Sequence, residues 1–190
     1  TAELFGFPST DFVIMHIGQF SAEKNHAFII ESFKKVIQQH ANARLIFIGE
    51  GKKYKETTEL VEREGLQKNI FFAGYRENVQ EFLAGADVFV MGSTIEGVPG
   101  VVLEAGMQSV PSVAVNVGGV GEVVQNGKTG ILLSTHDSSA FGNAIVSLME
   151  NSPLRTTLGS NAKEFVMKNY SLQNCLREFE WLYNDILNRN

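Results

Sequence analysis

FVIMHIGQFSAEKNHAFIIESFKKVIQQHANARLIFI, residues 12–48, starts and ends on an apolar run and carries a different period in between. FVIMHI (12–17) and RLIFI (44–48) lack the polar alternation of a half-exposed strand, so both are predicted to be strands covered on two faces. From Asn25 to Gln39 the spacing changes. Phe28, Ile29, Phe33, Val36 and Ile37 fall on one helical stripe, with Glu31, Lys34, Lys35 and Gln38 opposite, the pattern of an amphipathic surface helix. A strand, a helix and a second strand in that order make a right-handed parallel crossover.

The unit recurs on the C-terminal side. IFFA (70–73), DVFVM (87–91), SVAV (112–115) and GILL (130–133) read as further strands, and helical spacing occupies 53–64, 78–84, 99–108 and 120–125. Six strands alternating with helices predict an α/β chain with a doubly wound, six-stranded parallel sheet. Past the sixth strand only helices remain: 137–150, then 153–168 opened by Pro153, then 171–188 with Ser171 as its N-cap. The last carries Leu172, Cys175, Leu176, Phe179, Leu182, Tyr183 and Ile186 on one stripe, which reads as core or interface packing.

Bulk properties narrow the function classes. With 190 residues, 44% of them hydrophobic, the chain suffices for one domain, 1–190. A net charge of −5 argues against nucleic acid, whose phosphates need clustered Lys and Arg. The single cysteine, Cys175, can form no internal disulfide, which fits a reducing, cytoplasmic setting. No apolar run reaches the roughly 20 residues that span a bilayer. TAELFGFPSTD, residues 1–11, reads as a linker remnant leading into the first strand, and the chain as an excised piece.

In an open parallel sheet, ligands bind beyond the carboxyl ends of the strands. The loops there, GQFSAEKNH, GEGKKY, GYREN, GSTIEGVPG and NVGGVGE, all contain glycine. GEGKKY has Tyr54 where a dinucleotide fingerprint needs its third glycine, and no Walker lysine motif occurs. His16, His26, His40 and His136 lack metal-ligand spacing and read as structural, while Glu50 and Glu122 read as turn and cap carboxylates.

STIEGVPGVVLEAG, residues 93–106, is different in kind. Glu96 lies in the loop after the fourth strand, Pro99 suits the first helical position, and the N–H groups of Gly100, Val101 and Val102 fall in the unsatisfied first turn. Gly97 lets the chain approach a ligand. Glu104 sits among Val101, Val102, Leu103 and Ala105, where a carboxylate needs hydrogen-bond donors such as a vicinal diol. Two acceptors bracketing an anion site match a nucleoside diphosphate sugar.

The longer stretch STIEGVPGVVLEAGMQSVPSVAVNVGGVGEVV resembles the E-x7-E region of family 4 glycosyltransferases. GQFSAEKNH is similar to that family's first loop, ARLIFIGEG to its second strand and turn, NIFFAGYRENVQEFLAGADVFVMGS to its third and fourth strands, and NGKTGILL to its sixth. The resemblance implies a Rossmann-like half of a GT-B fold, here the C-terminal, donor-binding domain of a retaining enzyme. The expected activity is transfer of a sugar from a nucleotide sugar, a UDP-sugar, to a glycan or lipid-linked acceptor in polysaccharide biosynthesis. By motif position Glu96 would be the catalytic candidate, a carboxylate that positions the sugar. Glu104 would take the ribose, and Gly97, Val98, Gly100, Val101 and Val102 the sugar and phosphates. Gly18, Gln19 and Lys24 would meet the diphosphate, and Tyr75 and Arg76 the base. No metal or cofactor is implied, since no Asp-x-Asp pair is present to hold an ion. The implied partners are the nucleotide sugar and a missing N-terminal domain, toward which 171–190 would pack and through which the protein would associate peripherally with the inner face of a membrane. Two departures stand out. Gln19 replaces the family's usual Arg, and EAGM, with Gly106 inside the helix, stands where the family has E-A-M-A. A nucleotide-sugar epimerase and a non-catalytic binding module remain as alternatives.

Overall fold

The computed structural model describes residues 5–189. Its six strands are β1 (Phe12–Ile17), β2 (Ala43–Ile48), β3 (Ile70–Gly74), β4 (Val88–Met91), β5 (Ser112–Val115) and β6 (Gly130–Leu133). They form one parallel sheet in the order β3-β2-β1-β4-β5-β6. The crossovers are α1 (His26–Gln39), α2 (Tyr54–Arg63), α3 (Val79–Leu83), α4 (Gly100–Met107) and α5 (Val120–Val123), after which come α6 (Ser138–Glu150), α7 (Ser152–Asn169) and α8 (Leu172–Asn188). Strand order reverses between β1 and β4, so the loops that leave these two neighbours diverge and open a crevice.

Each strand feeds two cores, because successive side chains point to opposite faces. Phe12, Ile14, Leu45, Phe47, Val88, Val90, Val113 and Val115 pack with α1 and α6 on one side. Val13, Met15, Ile46, Ile48, Phe89, Met91 and Ala114 pack with α4 and α5 on the other. Burial on both faces is why the runs read as continuous, and each fully buried Val, Ile, Leu or Phe contributes about 1.5–3 kcal/mol. Residues 1–4 of the 1–11 stretch lie outside the described residues. Within the rest, Phe7 is buried, its ring centroid 4.2 Å from that of Phe71, and Asp11 meets Arg44 at 2.8 Å.

Helix ends divide into two groups. Asp137 accepts from Ser139 and Ala140 N–H groups at the start of α6, Asn151 caps α7, and Ser171 caps α8 as expected. By contrast α1 to α5, each placed after one of the first five strands, have no side-chain cap. Their N-termini all open at the carboxyl edge of the sheet. At the opposite edge, exposed turns return α2 to β3 through Gly65 (φ +68°) and α5 to β6 through Gly127 (φ +71°). Gly106 is a packing contact: a Cβ there would stand 3.0 Å from a Val166 methyl on α7. The stripe on α8 is not core. No residue of that helix is buried, and Leu172, Leu176, Phe179, Leu182, Tyr183 and Ile186 are all exposed, which leaves an interface as the reading of the stripe.

Candidate functional site

Lys24 leaves the loop after β1 and Glu96 the loop after β4. Although 72 residues apart, their side chains meet, with Lys24 Nζ 2.5 Å from Glu96 Oε1. The pair is sheltered, its side chains 24% and 9% exposed. Backbone geometry brings them together: the Thr94 N–H donates to the Glu23 carbonyl at 2.8 Å and clasps the two loops at the strand-order reversal.

The Glu96 loop is also held from below and behind. Gly118 takes a left-handed φ of +52° directly beneath it, where a Cβ would lie 1.8 Å from the Glu96 carbonyl oxygen. Gly119 N–H donates to the Gly97 carbonyl at 3.2 Å. His136 Nε2 lies 3.1 Å from the Gly92 and Ser93 carbonyls, with its ring edge-on to Phe28. None of these braces was expected from sequence, although the paired glycines of NVGGVGE were their visible trace. Gly118→Ala is therefore expected to combine backbone strain with displacement of the Glu96 loop. A loss of about 1–3 kcal/mol in stability, read by denaturant titration, should accompany at least about tenfold weaker nucleotide-sugar binding. Unchanged binding would show that the brace does not position Glu96.

The remaining expected residues take definite places. Gly18 is half-buried over His16: a Cβ on it would stand 3.3 Å from His16 Nε2 and 3.5 Å from the Lys24 stem. Gln19 is exposed with no side-chain hydrogen bond among the described residues. Gly97, Val98 and Gly100 are exposed beside Glu96, and Val101 is half-buried. Pro99 occupies the N-cap, with ψ at 106°, and not the first helical position. Val102 departs from expectation as a donor, since its N–H bonds the Pro99 carbonyl at 3.1 Å and its side chain is buried. Gly100 and Val101 thus supply the first-turn N–H groups.

Glu104 lies apart from the Lys24–Glu96 pair. Half-buried one turn further along α4, it lines a cleft of about 600 Å³ with Gln80, Leu103, Met107, Gln108 and Tyr170, and makes no ion pair among the described residues. Tyr75 and Arg76 are exposed after β3, Arg76 lying over the Phe82 ring. A backbone relay links that edge to the centre: Gly18 N–H bonds Ile48, Gly49 N–H bonds Gly74, and Gly49 packs directly on the Gly18 carbonyl. The structure therefore joins Lys24, Glu96 and the head of α4 at the crevice, and sets Glu104 and Tyr75–Arg76 around it without contact.

Two buried histidines lie behind the crevice. His16 Nδ1 donates to the Val90 carbonyl at 2.9 Å, so its Nε2 is a bare acceptor, and neither ring nitrogen of His26 has a partner. The His26 ring stacks on Phe20 and meets His16 edge-on, inside an aromatic cluster with Phe47. Burial lowers His16 to about 4 and His26 to about 3, so both are neutral. Both rings are packed inside that aromatic cluster.

A family model described as "Glycosyl transferases group 1" matches residues 3–165. Among curated relatives, the N-acetyl-alpha-D-glucosaminyl L-malate synthase of Bacillus anthracis is 27% identical over 183 residues, 96% of this chain and 48% of its own length. The UDP-Gal:alpha-D-GlcNAc-diphosphoundecaprenol alpha-1,3-galactosyltransferase of Escherichia coli is 24% identical over 97% of this chain and 48% of its own. This chain spans about half the length of these relatives. Among solved structures, Anabaena Alr3699/HepE in complex with UDP superimposes with a TM-score of 0.89 at 23% identity, over 97% of this chain and 51% of that one. A Staphylococcus aureus TarM mutant in complex with fondaparinux, alpha-GlcNAc-glycerol and UDP gives 0.86 at 25% identity, over 93% and 37%.

Proposed function

The chain belongs to the group 1 glycosyltransferases, and from that premise we propose that it is the donor-binding half of a retaining enzyme that moves a sugar from UDP to a glycan or lipid-linked acceptor in polysaccharide assembly. The observation that carries this reading is the pairing of Lys24 with Glu96 beside the uncapped head of α4. A diphosphate placed there meets one ammonium and the N–H groups of Gly100 and Val101, which stabilise the charge that grows on the leaving group as the sugar departs. Glu96 accepts from the sugar's hydroxyls and orients it. Glu104 accepts from the ribose, and the base lies toward Tyr75 and Arg76. The UDP in the two superimposed complexes and the galactosyl and glucosaminyl names of the relatives support a UDP-hexose or UDP-N-acetylhexosamine donor.

In this reading the ammonium and the helix end carry the phosphate charge, so no divalent ion is needed. Gln19 contributes only a neutral side chain where an arginine would add a bidentate cation. The apolar face of α8 lies against an N-terminal domain that supplies the acceptor site, and that domain carries any contact with the membrane. No helix among the described residues is long and apolar enough to cross one.

The test is turnover of UDP-hexoses by the natural full-length protein with and without glycan or polyprenyl-linked acceptors, in the presence of a chelator. Expected are acceptor-dependent release of UDP, an α-configured product by NMR, and rates insensitive to chelation. This chain alone should bind UDP and transfer nothing. Interconversion of the sugar without acceptor would establish an epimerase instead, and binding without turnover a non-catalytic module.

A further inference from the structure

The Lys24–Glu96 ion pair raises a question of competition, because the donor reading assigns each partner to a different part of the ligand. Lys24 is to hold the diphosphate and Glu96 the sugar, yet in the structure each is committed to the other at 2.5 Å. The commitment is built into the backbone. Thr94 is clasped to Glu23, and Gly118 and Gly119 brace the Glu96 carbonyl and the next residue, so the backbone sets the two charged groups within reach of each other. Glu96 has no other hydrogen-bond partner among the described residues, and its side chain is 9% exposed.

A diphosphate must therefore take Lys24 from Glu96 or share it with a carboxylate of its own sign. An attached sugar decides how that competition ends. With a nucleotide sugar, hydroxyl groups donate to Glu96 and replace the ammonium, so both members of the pair are satisfied again. With the bare nucleoside diphosphate nothing replaces it: Glu96 either stays sheltered and unpartnered, which is costly, or keeps Lys24 and repels the terminal phosphate. Resting on the donor reading above, we propose that the Lys24–Glu96 pair is an exchange contact that admits the sugar-bearing nucleotide and expels the spent one. Once the sugar has moved to the acceptor, Glu96 loses its hydroxyl partners and reclaims Lys24, loosening the hold on the diphosphate product. No bond to either residue forms or breaks. The same ammonium stabilises the leaving group while the sugar is departing and is withdrawn from it afterwards.

This inverts the ordinary expectation for a binding-site mutant. Glu96→Gln keeps the shape of the side chain and removes its charge, so Lys24 is no longer contested. Isothermal titration of the natural full-length protein with UDP should show binding tightened by about tenfold, the order of one charge-assisted hydrogen bond returned to the phosphate. UDP-glucose or UDP-N-acetylglucosamine, whichever the wild type binds, should bind no tighter than before. In stopped-flow measurements UDP release should slow by a similar factor. Lys24→Met supplies the second arm: in that background, Glu96→Gln should tighten UDP much less, since only direct repulsion is then relieved. UDP affinity unchanged or weakened by Glu96→Gln, with UDP still binding the wild type, overturns the exchange and leaves the donor reading standing. Equal tightening with and without Lys24 also overturns it, since general charge removal would then account for the gain. Failure of the wild type to bind either UDP or a UDP-sugar overturns the donor reading itself.

Discussion

Lys24→Met in the full-length protein is expected to lower the turnover number for sugar transfer by about 10²–10³-fold, the scale for removing one preorganised charge from a developing anion. Two losses combine. The leaving diphosphate forfeits the ammonium, and before the donor binds Glu96, with a side chain 9% exposed, loses its counter-ion. Because the first loss is felt most as the bond to the leaving group breaks, the effect should appear mainly in kcat at saturating donor and less in KM. Lys24→Arg should recover part of the rate, since it keeps the charge but not the point geometry. Turnover within about threefold of wild type in a folded Lys24→Met protein would remove Lys24 from the chemistry.

The second large effect is on stability and comes from behind the site. His16 and His26 are buried neutral, held by burial at about 4 and about 3 against an ordinary 6.5, with the Lys24 ammonium adding repulsion to both. Below pH 6.5 the unfolded chain takes up protons that the fold refuses, so stability present at neutral pH is lost as pH falls. For His16 the loss runs from 6.5 down to about 4 and amounts to about 3 kcal/mol; His26, lowered by burial and by its neighbour His16, adds a loss of the same sign that continues to about 3. Urea denaturation at pH 7.0 and 5.5, a window in which ordinary carboxylates change little, should show a fall of about 1 kcal/mol per histidine. His26→Phe should reduce that slope, since neither ring nitrogen has a partner to lose and the ring already stacks on Phe20. An identical slope in the variant would mean that His26 is protonated inside the fold.

Comparison of sequence with structure separates what periodicity carries from what only packing reveals. Strand runs such as FVIMHI and SVAV were legible to the residue, because burial on both faces leaves no polar alternation to misread. RLIFI missed only Ala43, and DVFVM ran one residue long because Asp87 spends its carboxylate on the Val13 N–H below the strand. Glu96 and Lys24 were each visible as residues of strand-end loops. Their pairing was not, because it depends on the Thr94–Glu23 clasp and on a glycine from a third loop beneath Glu96. Proline's fixed φ and missing N–H favour the first helical position, but the ψ of 106° that makes Pro99 the N-cap is set by the loop and leaves no trace in the sequence. The stripe on α8 announced an apolar face but could not announce that α7 and the sheet leave it uncovered.

The exposed glycine turns at Gly65 and Gly127 have a practical consequence. Every group assigned to the donor lies on α4 or leaves the carboxyl edge of the sheet, whereas these two turns close the opposite edge, and neither glycine has a neighbour within 4 Å of where a side chain would begin. Exposed turns of this kind tolerate inserted chain well. Fluorophores, affinity handles or a split point placed between residues 64 and 66, or between 126 and 128, would sit on the far side of the sheet from the crevice. They would report on or tether the protein without entering the proposed donor site.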